Sequence, residues 1–167
     1  RLEDFGSEHF ELSGIIGESM EFVSANPLNY AQAISNPSKC EQVRVHGKMF
    51  LPESSQPLPA VIIVPGSLGV SENHLSHAET LLNEEIAVVV LDPFSTRGIA
   101  STVSNQTQYS FAASAFDVLA ALRALYSFSQ IDSTRISAQG HSRGGSAVLT
   151  AAIRAFADPI IGPEYVF

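Results

Sequence analysis

The sequence predicts a three-layer α/β domain built around a mostly parallel sheet. Residues 60–64 and 86–91 are continuous aliphatic runs, which is typical of strands covered by helices on both faces. A helical pattern over residues 73–83 separates them, with Ser71 as its expected N-cap, and a longer helical pattern over residues 108–128 follows. This alternation implies right-handed crossovers and a sheet with helices on both sides.

The chain is expected to divide into an N-terminal lead-in, residues 1–40, and a main domain, residues 41–167. The lead-in contains a short strand pattern near residues 19–23. Residues 41–51 alternate imperfectly and predict a strand. The proline-rich turn over residues 52–59 predicts a hairpin into the next strand.

Composition limits the class of protein. With 167 residues, 45% of them hydrophobic, the chain can bury a substantial core as one globular domain. Its longest apolar runs are strand-sized, so no membrane span is expected. A net charge of −8 with only nine Lys and Arg argues against a nucleic-acid partner. Cys40 is the only cysteine, which excludes an intrachain disulfide and a cysteine zinc cluster. The cellular compartment stays open.

The most informative motif is Gly-His-Ser-Arg-Gly-Gly at residues 140–145, between a strand pattern over residues 135–139 and an apolar helix pattern over residues 147–156. A nucleophilic serine needs such a sharp strand-to-helix turn flanked by small residues. Ser142 is therefore the candidate nucleophile, and the backbone N–H of Arg143 is a candidate oxyanion donor. The alternative is a helix N-cap serine in a glycine-rich turn.

A second glycine-rich loop, Pro-Gly-Ser-Leu-Gly at residues 65–69, follows an earlier strand. It is the expected source of the second oxyanion donor, with the N–H of Ser67 or Leu68 as the candidate. A phosphate cradle is the rival interpretation. Neither the dinucleotide nor the P-loop glycine spacing is present, which disfavours a nucleotide cofactor.

Four motifs follow one another along the chain. They are PAVIIVPGSLG (59–69), LDPFSTRG (91–98), IDSTRI (131–136) and GHSRGG (140–145). In this order they resemble the dienelactone hydrolase branch of the α/β-hydrolase superfamily, over roughly residues 40–157. The resemblance implies an esterase or lactonase acting on a small ester or lactone, with Ser142 aligned to the nucleophile and Ser67 to the oxyanion loop. Ser142 stands where the founding members carry cysteine, which favours the serine esterases of this branch.

The triad of this superfamily places its acid and its histidine after the nucleophile along the chain. The residues after Ser142 include Asp158 and Glu164 but no histidine. The resemblance therefore implies that the base and acid come from a second polypeptide segment outside these residues. That segment would also pair with the sheet edge left by the strand over residues 135–139. The main rival function is a noncatalytic α/β binding module, or an inactive hydrolase fragment.

Other polar side chains near the strand ends have predicted roles in packing, solvation or substrate binding. His141 is expected to pack behind the turn, and His74 and His77 to be solvated helix residues. Arg97 and Arg143 are candidates to bind a substrate carboxylate through paired hydrogen bonds, or to form structural ion pairs.

Leu68, beside the expected oxyanion donor, is a second predicted substrate contact together with Arg97. Asp92 is either an orienting carboxylate or the start of a turn before Pro93. Asp117 is expected to be a solvated or ion-paired helix residue. The sequence contains no metal motif such as His-Glu-x-x-His, so no metal is expected.

Overall fold

A computed structural model describes residues 1–167. A five-stranded sheet with the strand order β3-β4-β6-β5-β7 forms its centre, and a small two-stranded hairpin, β1-β2, lies near the N-terminus. The strands are β1 (Glu11–Leu12), β2 (Ile15–Ile16), β3 (Glu18–Ala25), β4 (Gln42–Phe50), β5 (Leu58–Val64), β6 (Ala87–Asp92) and β7 (Ile131–Gly140). The helices are α1 (Tyr30–Ser35), α2 (Glu72–Asn83), α3 (Phe111–Leu125), α4 (Arg143–Ala151) and α5 (Arg154–Ile161).

The sheet has an antiparallel side and a parallel side. β3, from the N-terminal segment, pairs antiparallel with β4, and β4 pairs antiparallel with β6. β5 pairs in parallel with both β6 and β7. The predicted hairpin from β4 into β5 is wrong, because β6 lies between these two strands. The position between β6 and β7 suits the aliphatic residues of β5, because helices there cover both faces of the strand and keep its side chains from water.

Helices cover both faces of the sheet and divide the core in two. A larger core lies between one face and the helices α1, α3, α4 and α5, and a smaller core lies between the other face, α2 and the β1-β2 hairpin. Adjacent residues of β5 point to opposite cores, Ile62 to the larger and Ile63 to the smaller. Burial on both faces explains why the strand runs are continuous and confirms the predicted three-layer class.

The predicted helices are present with shifted ends. α2 follows Ser71 as expected, and α3 follows Ser110, whose side chain accepts a hydrogen bond from the Ala113 N–H. The apolar pattern over residues 147–156 is not one helix, because Ile153 adopts an extended backbone between α4 and α5. After the break, α5 packs against α1. No helix combines the length and apolar character that crossing a bilayer requires.

Candidate functional site

The turn that joins β7 to α4, residues 140–144, lies at the carboxyl end of the parallel strands. Ser142 has φ 53° and ψ −119° there, and its exposed side chain makes no capping hydrogen bond to α4. A non-glycine residue in so sparsely populated a conformation costs on the order of 1–3 kcal/mol. The side-chain capping bond of an ordinary N-cap serine is therefore absent, and the Ser142 side chain stays exposed.

Two glycines let this turn pack against its neighbours. A Cβ on Gly140 would lie 2.1 Å from the carbonyl oxygen of Gly144, and a Cβ on Gly144 would lie 2.3 Å from the carbonyl oxygen of Val64. Both obstacles are backbone atoms, which cannot move aside as a side chain can. The strained serine is thus held between two positions that only glycine can occupy without displacement of the backbone.

The 65–69 loop lies directly against the turn. The His141 N–H donates a hydrogen bond to the carbonyl oxygen of Val64 at 3.3 Å. A Cβ on Gly66 would lie 3.3 Å from the Ser142 Cβ and 3.0 Å from the His141 carbonyl oxygen. The two glycine-rich segments that the sequence singles out therefore share one small region.

Unpaired backbone N–H groups come from both segments. Those of Ser67 and Leu68 have no hydrogen-bond partner within the chain. Arg143 is the first residue of α4, where a helix leaves its N–H groups without helical partners. Donors arranged in this way can stabilise an oxyanion that develops beside them.

The side chain of Arg143 is buried, at 5% exposed. Its guanidinium carbon lies 4.8 Å from the ring centre of Tyr109 and 4.2 Å from that of Phe111, which is cation-π geometry. Nη1 donates to the Gln106 side-chain and main-chain oxygens at 2.8 and 3.2 Å. Burial lowers the pKa of Arg143. The side chain forms hydrogen bonds to Gln106 and no ion pair, so the predicted structural ion pair is wrong for Arg143.

The guanidinium of Arg97, which the sequence predicts as a substrate contact, is already fully hydrogen-bonded within the chain. Its side chain is 6% exposed, and all five of its N–H donors are used. The acceptors are Asp117 Oδ2 at 2.7 Å and Oδ1 at 2.9 Å, Asn26 Oδ1 at 2.8 Å, and the carbonyl oxygens of Pro93 at 2.8 Å and Ala25 at 3.4 Å. Arg97 therefore forms the structural ion pair with Asp117 that was the alternative prediction.

Asp117 is fully buried and holds this cluster together, so it is ion-paired and not solvated. Besides Arg97 it accepts hydrogen bonds from the Ser24 hydroxyl at 2.5 Å and from the Tyr109 hydroxyl. Burial raises the pKa of Tyr109, and the neighbouring carboxylate raises it further, so the phenol stays protonated and donates. The Tyr109 ring lies against both Arg97 and Arg143, and it joins the ion pair to the residue after Ser142.

His74 is not the solvated helix residue that the sequence predicts. It is 5% exposed, and its Nδ1 accepts a hydrogen bond from the Ser71 N–H at 2.9 Å as part of a capping box. Its ring meets the His141 ring edge-on at 6.1 Å, while exposed His77 bonds the Gln139 side chain. Burial lowers the pKa of His74, and repulsion from His141 and His77 lowers it further. No histidine forms a hydrogen bond with Ser142.

A His74→Gln variant is expected to lose less stability than the parent protein when the pH falls from about 7.5 to about 5. The lowered pKa of His74 means that the unfolded chain binds the proton more readily than the folded one. The stability that neutral His74 contributes is therefore fully present above the ordinary pKa of 6.5, and it is lost as the pH falls through the folded-state pKa. Glutamine can still serve as the capping-box partner of Ser71.

The measurement is the urea midpoint of both proteins at the two pH values. His9→Gln is the matched control, since His9 is exposed and lies outside the cores. Equal acid sensitivity of His74→Gln and the parent protein would contradict the prediction.

The remaining candidates lie outside the turn. Asp92 Oδ1 accepts hydrogen bonds from the N–H groups of Phe94 and Ser95 at 3.1 and 3.2 Å. Asp92 therefore starts a turn, which is the second of the two roles predicted for it. His46 lies on β4 near Glu21. The structure brings together no three His, Cys, Asp or Glu side chains in a metal-binding arrangement.

Comparison with known proteins agrees with this architecture. The sequence profile of the acetyl xylan esterase family (AXE1) matches residues 82–162. The structure of esterase Est22 superposes with a TM-score of 0.63 at 18% sequence identity, over 89% of this chain and 41% of that one. The chain has the α/β-hydrolase fold. The predicted fold class and the resemblance to dienelactone hydrolase-like proteins are thereby confirmed.

Two further structures share the fold of this chain. A dienelactone hydrolase-like promiscuous phosphotriesterase from metagenomic libraries matches with a TM-score of 0.56 at 20% identity, over 83% of this chain and 54% of that one. Est1E from Butyrivibrio proteoclasticus matches with a TM-score of 0.54 at 19% identity, over 66% and 41%. No curated protein sequence matches. The chain spans about half the length of its structural relatives.

Proposed function

We propose that Ser142 is the nucleophile of a serine hydrolase that cleaves carboxylic esters or lactones. The observation that carries this proposal is the positive φ of 53° at Ser142, in a glycine-walled turn, with no capping bond from its hydroxyl. A strained backbone persists only where its surroundings enforce it, and such strain is concentrated at functional sites. The fold and the esterase matches favour acyl transfer as the reaction.

In the proposed reaction, Ser142 Oγ attacks the carbonyl carbon of the ester while a base removes its proton. The carbonyl oxygen becomes an oxyanion, which the N–H groups of Arg143 and Ser67 stabilise. The intermediate expels the alcohol, which takes the proton from the base, and leaves an acyl group on Ser142. Water then hydrolyses this acyl-enzyme by the same two steps.

The base and the acid of this reaction are proposed to come from a segment outside residues 1–167, which would complete both the triad and the sheet. Three observations support this. No histidine of the chain bonds Ser142, β7 pairs with β5 alone, and the chain spans about half of its structural relatives. Leu68, 72% exposed beside the free N–H groups, is the proposed substrate contact within these residues.

The test is covalent labelling of the protein at its natural length with a fluorophosphonate. We expect one adduct, located on the peptide that contains Ser142, and no adduct in Ser142→Ala, since that variant lacks the nucleophile. Ser137→Ala, which replaces an exposed serine of β7, the strand before the turn, is the matched control and should label like the parent protein. Mass spectrometry of the digest identifies the labelled residue.

A folded natural-length protein that takes up no label would overturn the serine hydrolase and leave the noncatalytic binding module. An adduct on another serine, retained in Ser142→Ala, would overturn the assignment of Ser142 alone. Loss of the adduct in Ser142→Ala with ester turnover in the parent protein supports the whole proposal.

A further inference from the structure

The side chain of Gln106 lies between the two segments that carry the proposed oxyanion donors. Its Oε1 accepts a hydrogen bond from Arg143 Nη1 at 2.8 Å, and its Nε2 donates to Ser67 Oγ at 3.1 Å. The Gln106 main-chain oxygen accepts a second bond from Arg143 Nη1 at 3.2 Å. One amide thus connects the side chains of both residues whose N–H groups are the proposed oxyanion donors.

The Arg143 end of this bridge is firmly fixed. The guanidinium is buried against Tyr109 and Phe111, and Tyr109 in turn donates to the buried Asp117. Cation-π packing and burial leave this side chain little freedom to move. A group that bonds Arg143 Nη1 is therefore attached to the core of the domain.

The Ser67 end is otherwise lightly held. Within the 65–69 loop, the Gly69 N–H bonds the Gly66 carbonyl oxygen at 3.0 Å. Outside the loop, the carbonyl oxygen of Ser67 accepts from the Thr102 N–H at 2.8 Å, and its hydroxyl bonds Gln106. Every hydrogen bond that holds Ser67 from outside its loop thus comes from one neighbouring segment, to which Gln106 belongs.

We propose that Gln106 is a positioning residue for the oxyanion site, holding the Ser67 N–H in place relative to the Arg143 N–H. This inference rests on the proposed function of Ser142. Donors stabilise an oxyanion only where they are already aimed at its position, because their reorientation during the reaction costs free energy. A bridge from the buried Arg143 guanidinium to the 65–69 loop would hold the Ser67 N–H in a fixed orientation without contact to the substrate.

The amide suits this role better than a carboxylate does. It accepts from Arg143 through its oxygen and donates to Ser67 through its nitrogen at the same time. A glutamate would accept from both, yet it would place a negative charge close to the developing oxyanion. Gln106→Glu should therefore keep the loop in place and still slow the reaction.

The experiment compares steady-state ester hydrolysis by the natural-length protein with that of Gln106→Ala, Ser67→Ala and the double variant. We expect kcat to fall about tenfold in Gln106→Ala with KM within about twofold, a smaller loss than deletion of an oxyanion donor causes. Because both side chains act through one bridge, the double variant should be no slower than the slower single variant. Gln106 is exposed, so the variant should fold.

Gln108→Ala is the matched control. Its amide bonds the carbonyl oxygens of Ser101 and Asn105 at 3.1 and 3.0 Å and contacts neither Ser67 nor Arg143, so its kcat should equal that of the parent protein. Amide hydrogen exchange supplies a readout that does not depend on activity. Residues 66–69 should exchange faster in Gln106→Ala than in Gln108→Ala.

The outcomes separate the two proposals. If the parent protein hydrolyses esters and Gln106→Ala does so at the same rate, the positioning role is overturned and the nucleophile assignment stands. Unchanged exchange of residues 66–69 in Gln106→Ala also overturns the positioning role. A parent protein with neither turnover nor label overturns the function of Ser142, and the catalytic part of this inference falls with it.

Discussion

Replacement of Asp117 by alanine should destabilise the domain by about 3–5 kcal/mol, because it leaves a buried arginine without its counter-charge. Asp117 is fully buried, and its two oxygens accept both terminal nitrogens of Arg97, which is itself 6% exposed. The substitution also removes the acceptor of the Ser24 and Tyr109 hydroxyls. Each buried hydroxyl left unpaired adds a desolvation penalty.

The measurement is the free energy of unfolding from urea denaturation of the purified protein. Asp158→Ala is the matched control, since the Arg154–Asp158 pair on α5 is partly exposed and its loss should change stability by less than about 1 kcal/mol. Arg97→Met combined with Asp117→Leu tests the cause. Removal of both partners leaves neither charge of this pair buried alone, so the double variant should cost far less than Asp117→Ala. A loss of under about 1 kcal/mol in Asp117→Ala would show that the cluster is not held by this charge.

Local patterns predicted the elements on which the candidate site is built. The continuous aliphatic runs of β5 and β6, and the cap at Ser71, each depend on neighbouring residues along the chain, so the sequence alone indicates them. The glycine pattern around Ser142 is of the same kind. A Cβ at Gly140 or Gly144 would collide with backbone, and the spacing of these glycines expresses that constraint directly.

Contacts between distant segments could not be predicted in the same way. Nothing near β4 in the sequence shows that it pairs with β6 and not with β5. Arg97 carries no local mark that distinguishes a substrate contact from a buried ion pair, since its acceptors include Asn26 and Asp117. Gln106 belongs to a polar loop segment, and its bridge exists only because Ser67 and Arg143 meet there. His74 stands three residues after the N-cap Ser71, where a capping box usually has Glu or Gln, and this spacing is a local signal for its bond to the Ser71 N–H.

A Gly144→Ala variant is expected to lose about 3 kcal/mol or more of stability, at the upper end of what overpacking costs. The added Cβ would lie 2.3 Å from the Val64 carbonyl oxygen and 2.6 Å from that of Pro65, so the turn must move away from β5. That movement separates Ser142 from the 65–69 loop. Fluorophosphonate labelling of any folded Gly144→Ala protein should therefore be lost as well, which thermal unfolding and labelling of the same sample can establish.

Gly145→Ala provides the control, because it adds the same methyl group one residue later in the same helix. Its Cβ would meet its nearest atom, the Gly140 carbonyl oxygen, at 3.4 Å, an ordinary contact distance. Alanine is a better helix former than glycine by about 1 kcal/mol, so this variant should be as stable as the parent protein or slightly more stable. It should also keep its labelling. If both variants lose stability equally, the crowding between the turn and β5 is not what restricts Gly144. If both variants are as stable as the parent protein, the turn can relax, and the neighbours of Ser142 do not enforce its strained backbone.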